Sequence, residues 1–160
     1  MATPTYELID STTFSSTTAS FTFSSIPSTF TDIVIVASLT ATAYDIWLGL
    51  RFQGNSSSAY SWVSGYGSNQ GSSSSSDTEI QLYSHITTTK GLWVIDVRDY
   101  ADTDKQKMVI SRGGSAGSFG TGFTAGRFLA TSAITSITLF GGAGLDLEAG
   151  GTIALYGIAG

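Results

Sequence analysis

The sequence predicts a single all-β domain, and three observations lead to that prediction. Apolar and polar residues alternate along many short segments; in residues 45–52, Ile46, Leu48, Leu50 and Phe52 would share one face of a strand. Glycine, proline, asparagine and serine separate these segments, as turns require. Helical periodicity is almost absent. About ten short strands at this spacing are typical of an antiparallel β-sandwich, a jelly roll or a barrel.

The alternation recurs along the whole chain, so each occurrence is interpreted as a half-buried strand. The pairs and triplets are Phe21/Phe23, Tyr60/Trp62, Ile80/Leu82, Trp93/Ile95/Val97, Met108/Ile110, Phe123/Ala125, Ile137/Leu139 and Ile153/Leu155. Between them, residues 67–76 with their serine run predict a flexible surface loop, and residues 112–120 a long glycine-rich connection. No repeat and no linker divides the chain, so residues 1–160 are predicted to form one domain.

Composition excludes several classes of function. The 160 residues are 41% apolar, which suits one hydrophobic core. The formal charge is −5 and only seven residues are lysine or arginine, which argues against nucleic acid as a partner. No apolar run is long enough to span a membrane, and no secretory signal is visible, so we expect synthesis in a cytoplasm. The absence of cysteine removes disulfides and thiolate chemistry.

The sequence offers little evidence of catalysis. Residues 113–117 match the G-x-S-x-G pattern of a hydrolase nucleophile elbow around Ser115, but no helix follows and the segment is rich in glycine and serine. His85 is the only histidine, and a dyad with Asp96 or Asp99 stays open at this level. A surface histidine is the more common situation. We expect a chain that is not an enzyme and has no catalytic residue.

Four aspartates form the only acidic cluster, at positions 96, 99, 102 and 104. Calcium prefers several carboxylates on one loop, but the spacing lacks the calcium-loop pattern and Lys105 and Lys107 follow directly. Residues 99–104 are therefore predicted to be a solvated hairpin of mixed charge. No metal site and no cofactor are expected.

The aromatic residues supply the candidate contact site. Tyr60 and Trp62 fall in strand register and are predicted to belong to the core. Trp47 and Arg51 should lie off the face that carries Leu48 and Leu50, so they either pack under a second layer or contact a partner or a glycan.

Several segments, in order along the chain, resemble small structural proteins of tailed phages, especially cyanophages and related marine and freshwater phages. The resemblance extends from residue 6 to residue 158. The segments are Tyr6-Glu7-Leu8-Ile9, residues 23–32 (FSSIPSTFTD), residues 50–55 (LRFQGN), Tyr60-Ser61-Trp62, Tyr66-Gly67, Thr124-Ala125-Gly126, residues 133–139 (AITSITL) and Leu155-Tyr156-Gly157-Ile158.

This resemblance implies a β-sandwich or jelly-roll component of the virion, either a capsid decoration (cement) protein or a tail-fibre domain. We expect a cement protein that binds the major capsid protein on the outer surface of the head, stabilises the shell, and is a homotrimer. The alternative is a tail-fibre or receptor-binding domain that recognises host glycans, with Trp47 and Arg51 as contacts. The resemblance implies no enzymatic residues.

Overall fold

Twelve β-strands and one short 3-10 turn make up the computed structural model, which describes residues 5–43, 46–67, 70–116 and 120–159. No α-helix occurs in these ranges. The strands are β1 (Tyr6–Thr13), β2 (Ser20–Phe23), β3 (Asp32–Leu39), β4 (Ile46–Phe52), β5 (Tyr60–Tyr66), β6 (Gln70–Asp77), β7 (Ile80–Ile86), β8 (Gly91–Arg98), β9 (Lys107–Gly114), β10 (Thr121–Phe128), β11 (Ile137–Gly141) and β12 (Thr152–Ile158), with the turn at Gly142–Gly144.

The strands pair into two antiparallel sheets. The larger sheet has eight strands in the order β1-β12-β3-β8-β9-β10-β5-β6, and the smaller sheet has four in the order β2-β11-β4-β7. Apolar side chains from both sheets meet between them and form one hydrophobic cluster. The predicted all-β sandwich is confirmed, with twelve strands in place of about ten.

The chain follows the path of a jelly roll. Strands β1, β12, β3 and β8 lie side by side in the larger sheet, and β2, β11, β4 and β7 lie side by side in the smaller one. Successive strands of this set of eight alternate between the sheets, apart from the step from β4 to β7, as two nested Greek keys require. The remaining hairpins, β5–β6 and β9–β10, widen the larger sheet, and β7 packs beneath β5, β9 and β10.

Aromatic rings fill the interior where the widened sheet meets the smaller one. Tyr60 and Phe128 stack with ring centroids 4.8 Å apart, and Phe52 lies 5.4 Å from Phe128. Tyr60 and Trp62 are buried, which confirms that they belong to the core. The predicted inward positions of Trp93, Ile95 and Val97 are also confirmed.

Two predicted loops are partly wrong. The serine run lies in strand β6, where Ser72, Ser73 and Ser74 pair with Ser64, Val63 and Trp62 of β5. The indole N–H of Trp62 donates to the carboxylate of Asp77 at 3.0 Å and fixes the end of this edge strand. Likewise, residues 112–114 belong to β9. Backbone pairing with a neighbouring strand therefore overrides a composition that is typical of loops.

Two buried tyrosines should make the fold sensitive to alkali. Burial raises the pKa of Tyr60 and of Tyr100 above the usual value of 10.0. The unfolded chain loses these protons first, so stability is fully present below pH 10 and is lost as the pH rises through the raised pKa values. Tyr60→Phe should lower stability at neutral pH, because the hydroxyl accepts from the Phe52 N–H at 3.0 Å and donates to the Asn55 carbonyl at 2.9 Å, but it should reduce the further loss of stability above pH 10. The exposed Tyr6→Phe is the control, and an equal pH dependence of both variants above pH 10 would contradict this expectation.

Candidate functional site

The outward surface of the larger sheet collects most of the exposed apolar side chains. Among the described residues, eight large apolar side chains are notably exposed, and by strand register seven of them point outward from this sheet. We call the outward positions of β12, β3, β8, β9, β10 and β5, together with those of β1, the outer face. The seven are Tyr6, Leu8, Val63, Leu92, Met108, Ile110 and Phe123.

Strands β9 and β10 direct large apolar residues outward. Met108 and Ile110 of β9 and Phe123 of β10 are 44%, 43% and 58% exposed, whereas the apolar residues of a half-buried strand usually face the core. The inward positions instead hold Lys107, Ser111 and Thr124, all buried, together with a few apolar residues. The half-buried strands predicted at Met108/Ile110 and Phe123/Ala125 are therefore confirmed, and the structure adds that these pairs point outward.

Polar groups on the inward side of β9 and β10 have hydrogen-bond partners nearby in space, which explains why this orientation is stable. The ammonium of Lys107 donates to the carbonyl oxygens of Asp102, Lys105 and Thr131. The Thr124 hydroxyl donates to the Gln81 carbonyl at 3.1 Å. With these groups satisfied inside, Met108, Ile110 and Phe123 can lie on the outer face, while Val109 and Phe128 point toward the core.

Charged groups on the outer face form a connected cluster in which the anions lie beneath the cations. Arg112 donates to the Asp96 carboxylate at 2.9 Å, and Arg98 donates to that of Asp32 at 2.7 Å and lies 3.6 Å from Asp96. The arginine side chains are 62% and 52% exposed, whereas those of Asp96 and Asp32 are 11% and 15% exposed. The bond to Asp32 raises the pKa of Arg98. The surface therefore presents guanidinium groups.

The amino-acid content of the outer face resembles that of protein interfaces. Three of the four arginines in the chain, Arg98, Arg112 and Arg127, lie on it. Neither lysine nor glutamate occupies an outward position of β12, β3, β8, β9, β10 or β5. Interface cores are enriched in aromatic residues, methionine and arginine and depleted in lysine and glutamate.

The relief of the outer face includes a flat aromatic ring and a shallow groove. Phe123 lies across Gly65 of β5, where a Cβ atom would come within 2.7 Å of the ring. Beside it, a groove of about 420 Å³ is lined by Val63, Met108 and Arg127, among others. The absence of a side chain at Gly65 thus lets an exposed ring lie flat on the sheet.

The predicted contact residues Trp47 and Arg51 lie on the outward surface of the smaller sheet and meet through a third residue. The Trp47 indole N–H donates to one carboxylate oxygen of Glu79 at 3.1 Å, and Arg51 donates to the other at 2.8 Å. The Arg51 guanidinium also lies 4.5 Å above the Phe140 ring. Phe140 itself covers Gly49. Glu79, which sequence reasoning missed, is the buried centre of this cluster.

Removing Glu79 should destabilise the smaller sheet. Glu79→Ala leaves the Trp47 indole and the Arg51 guanidinium without their shared acceptor, so we expect a loss of about 2–3 kcal/mol in the free energy of unfolding. Chemical denaturation measures this loss, with the exposed Glu7→Ala as the control. A Glu79→Ala variant as stable as Glu7→Ala would contradict the structural role of the cluster.

The catalytic candidates are separated by their contacts. The Ser115 hydroxyl donates to the backbone carbonyl of His85 at 2.5 Å, and the His85 ring stacks on Tyr66. Asp96 is paired with arginines on the outer face, and Asp99 lies 3.6 Å from Lys105. Gly117 of the G-x-S-x-G match lies outside the described residues. The Ser115 hydroxyl thus bonds to the backbone of His85, whereas a catalytic triad requires it to bond to the imidazole.

The acidic segment between β8 and β9 is held by local bonds. Asp102 accepts from the backbone N–H of Asp104 and from Lys105, at 2.8 and 3.1 Å, and these contacts hold its pKa below the usual range. The polar hairpin predicted here is confirmed as a connection between strands, although Lys107 is buried. Within the described ranges, no three histidine, cysteine or acidic side chains converge as a metal site would require.

Comparisons with known proteins add little. No protein-family model matches the chain, and no curated protein matches it. One solved structure, a protein of unknown function from Shewanella oneidensis MR-1, is 13% identical, with a match that spans 84% of this chain and 61% of that one at a TM-score of 0.27. Within the described ranges, no helix has the length and apolar character to cross a membrane.

Proposed function

We propose that the chain is a structural protein of a tailed-phage particle, a cement protein that binds the major capsid protein on the outside of the head and stabilises the shell. The orientation of β9 and β10 is the observation that supports assembly most strongly. Both strands direct apolar residues outward while polar residues lie buried behind them. Contiguous exposed apolar surface on a folded domain commonly marks a site of protein association.

Two further features favour a virion component. Double-sheet jelly rolls occur in capsid and lectin domains, and the fold alone decides no function, so this support is an analogy. The chain also carries few charges, so an extensive contact desolvates few ionic groups. The sequence resemblance to structural proteins of tailed phages agrees with both features. A cyclic homotrimer remains our prediction for the assembled state.

Binding to heads tests this proposal directly. Purified protein is mixed with heads of the encoding phage that lack it, and the heads are sedimented and heated. We expect the protein to sediment with the heads and to raise the temperature at which they release DNA. If the protein sediments with isolated tails but does not sediment with heads, the proposal is contradicted.

Glycan recognition by a tail-fibre domain is the second candidate. A depression of about 470 Å³ beside Arg51, Glu79 and Phe140 on the smaller sheet favours it, because sugar sites combine carboxylates with aromatic rings. However, Trp47 and Arg51 already bond to Glu79. Glycan-array binding that Trp47→Ala abolishes would support this candidate, and an array without any bound glycan would count against it.

A further inference from the structure

We infer that the outer face of the larger sheet is the surface that docks on the head, and that its partner there is an apolar protein surface bearing carboxylates. This inference rests on the proposed function and specifies the contact. Three features of the outer face support it: its charge, the donors still available on its arginines, and the apolar groups between them.

The charge on the outer face is opposite in sign to that of the chain. Among the outward positions of β12, β3, β8, β9, β10 and β5, three arginines stand against two aspartates, Asp32 and Asp96, in a chain with a formal charge of −5. The aspartates are also the buried members of the cluster. A partner therefore meets guanidinium groups, and carboxylates are their complementary ligands.

The arginines retain hydrogen-bond donors for a partner. Arg112 uses one terminal nitrogen for Asp96, and Arg127 uses its Nε for the Ser61 hydroxyl at 3.2 Å. A guanidinium carries five N–H donors, and no described residue bonds to the others on these two side chains. Asp96 holds Arg112 in place, so less side-chain freedom is lost when a partner binds.

Apolar side chains lie between the two arginines and supply the rest of the contact. Met108 pairs with Arg127 and Phe123 with Arg112 across β9 and β10, and Ile110 lies in the row between them. An apolar centre with charged groups beside it is the usual anatomy of a specific interface. A second copy placed face to face brings two surfaces of the same excess charge together, which disfavours self-pairing through this surface.

Charge reversal on the outer face is the test, read as affinity for purified heads of the encoding phage. We expect Arg127→Glu to weaken binding roughly tenfold or more at low salt and less at high salt, because exposed charges are screened. Phe123→Asp is expected to weaken binding at both salt concentrations. Lys90→Glu makes the same charge change in the loop before β8, outside the strands of the outer face, where the ammonium bonds to the Gly150 carbonyl, and should leave affinity unchanged.

The outcomes separate this inference from the proposed function. Heads that bind all variants like wild type would overturn the docking surface and leave the cement function standing. If the Phe123→Asp substitution dissociates an oligomer in solution but the variant still binds heads, the surface serves self-association and the inference is overturned. Wild-type protein that binds no heads would overturn both. Thermal melting of each variant controls for folding, and Arg127→Lys should retain part of the binding that Arg127→Glu loses.

Discussion

Trp93→Ala is expected to lower the free energy of unfolding by about 3–5 kcal/mol, the range for truncating a large buried aromatic residue. Trp93 is fully buried on the inward side of β8. Its ring lies over Gly113 of β9, where a Cβ atom would come within 2.4 Å of it, and close to Gly91. Because Gly113 of the neighbouring strand and Gly91 of the same strand have no side chains, neither position can fill the resulting cavity.

Leu92 is the matched control for Trp93, because it is the preceding residue of the same strand and points outward. It is 52% exposed, so Leu92→Ala should change stability by less than about 1 kcal/mol. Chemical denaturation of both variants measures the difference. If the two variants lose equal stability, the assignment of the inward and outward sides of β8 is wrong.

Lys107→Ala is the second substitution with a large expected effect, a loss of about 3 kcal/mol or more in the free energy of unfolding. The buried ammonium bonds the carbonyl oxygens of Asp102 and Lys105 in the connection before β9 and that of Thr131 after β10. Without it, three carbonyl oxygens lose a donor and a cavity opens.

Two further variants, Lys105→Ala and Lys107→Met, provide the controls for Lys107→Ala. Lys105 lies two residues away with a side chain 55% exposed, and Lys105→Ala should cost less than about 1 kcal/mol. Lys107→Met keeps most of the volume and removes only the donors, so its loss should fall between the two. Equal stability of Lys107→Ala and Lys105→Ala would contradict the buried role.

The sequence predicts the strands of the jelly roll well, because the alternation in them coincides with burial. Ile80/Leu82, Ile137/Leu139 and Ile153/Leu155 all point inward, as expected. In β9 the alternation does not show which side faces the core, because Met108 and Ile110 alternate with Lys107 and Val109 and either set could point inward. Two of the carbonyl oxygens that bind the Lys107 ammonium are close in sequence, but the third belongs to Thr131, 24 residues away, and a local pattern cannot reveal that contact.

The candidate sites show a similar division. The outward positions of Trp47 and Arg51 follow from strand period, and the structure agrees for both. Their common partner Glu79 lies 32 and 28 residues away and becomes visible only when β4 and β7 pair. The outer face has the same character, because Arg112 of β9 and Asp96 of β8 meet only through sheet register.

Cryo-electron microscopy of purified particles of the encoding phage can locate the chain and show which of its surfaces is in contact. We expect density for this chain at regular positions on the head, with Phe123, Arg112 and Arg127 of the outer face against carboxylate-bearing capsid subunits. Density confined to the tail or its fibres would contradict the cement function. Density on the head with the outer face toward solvent would contradict the docking surface.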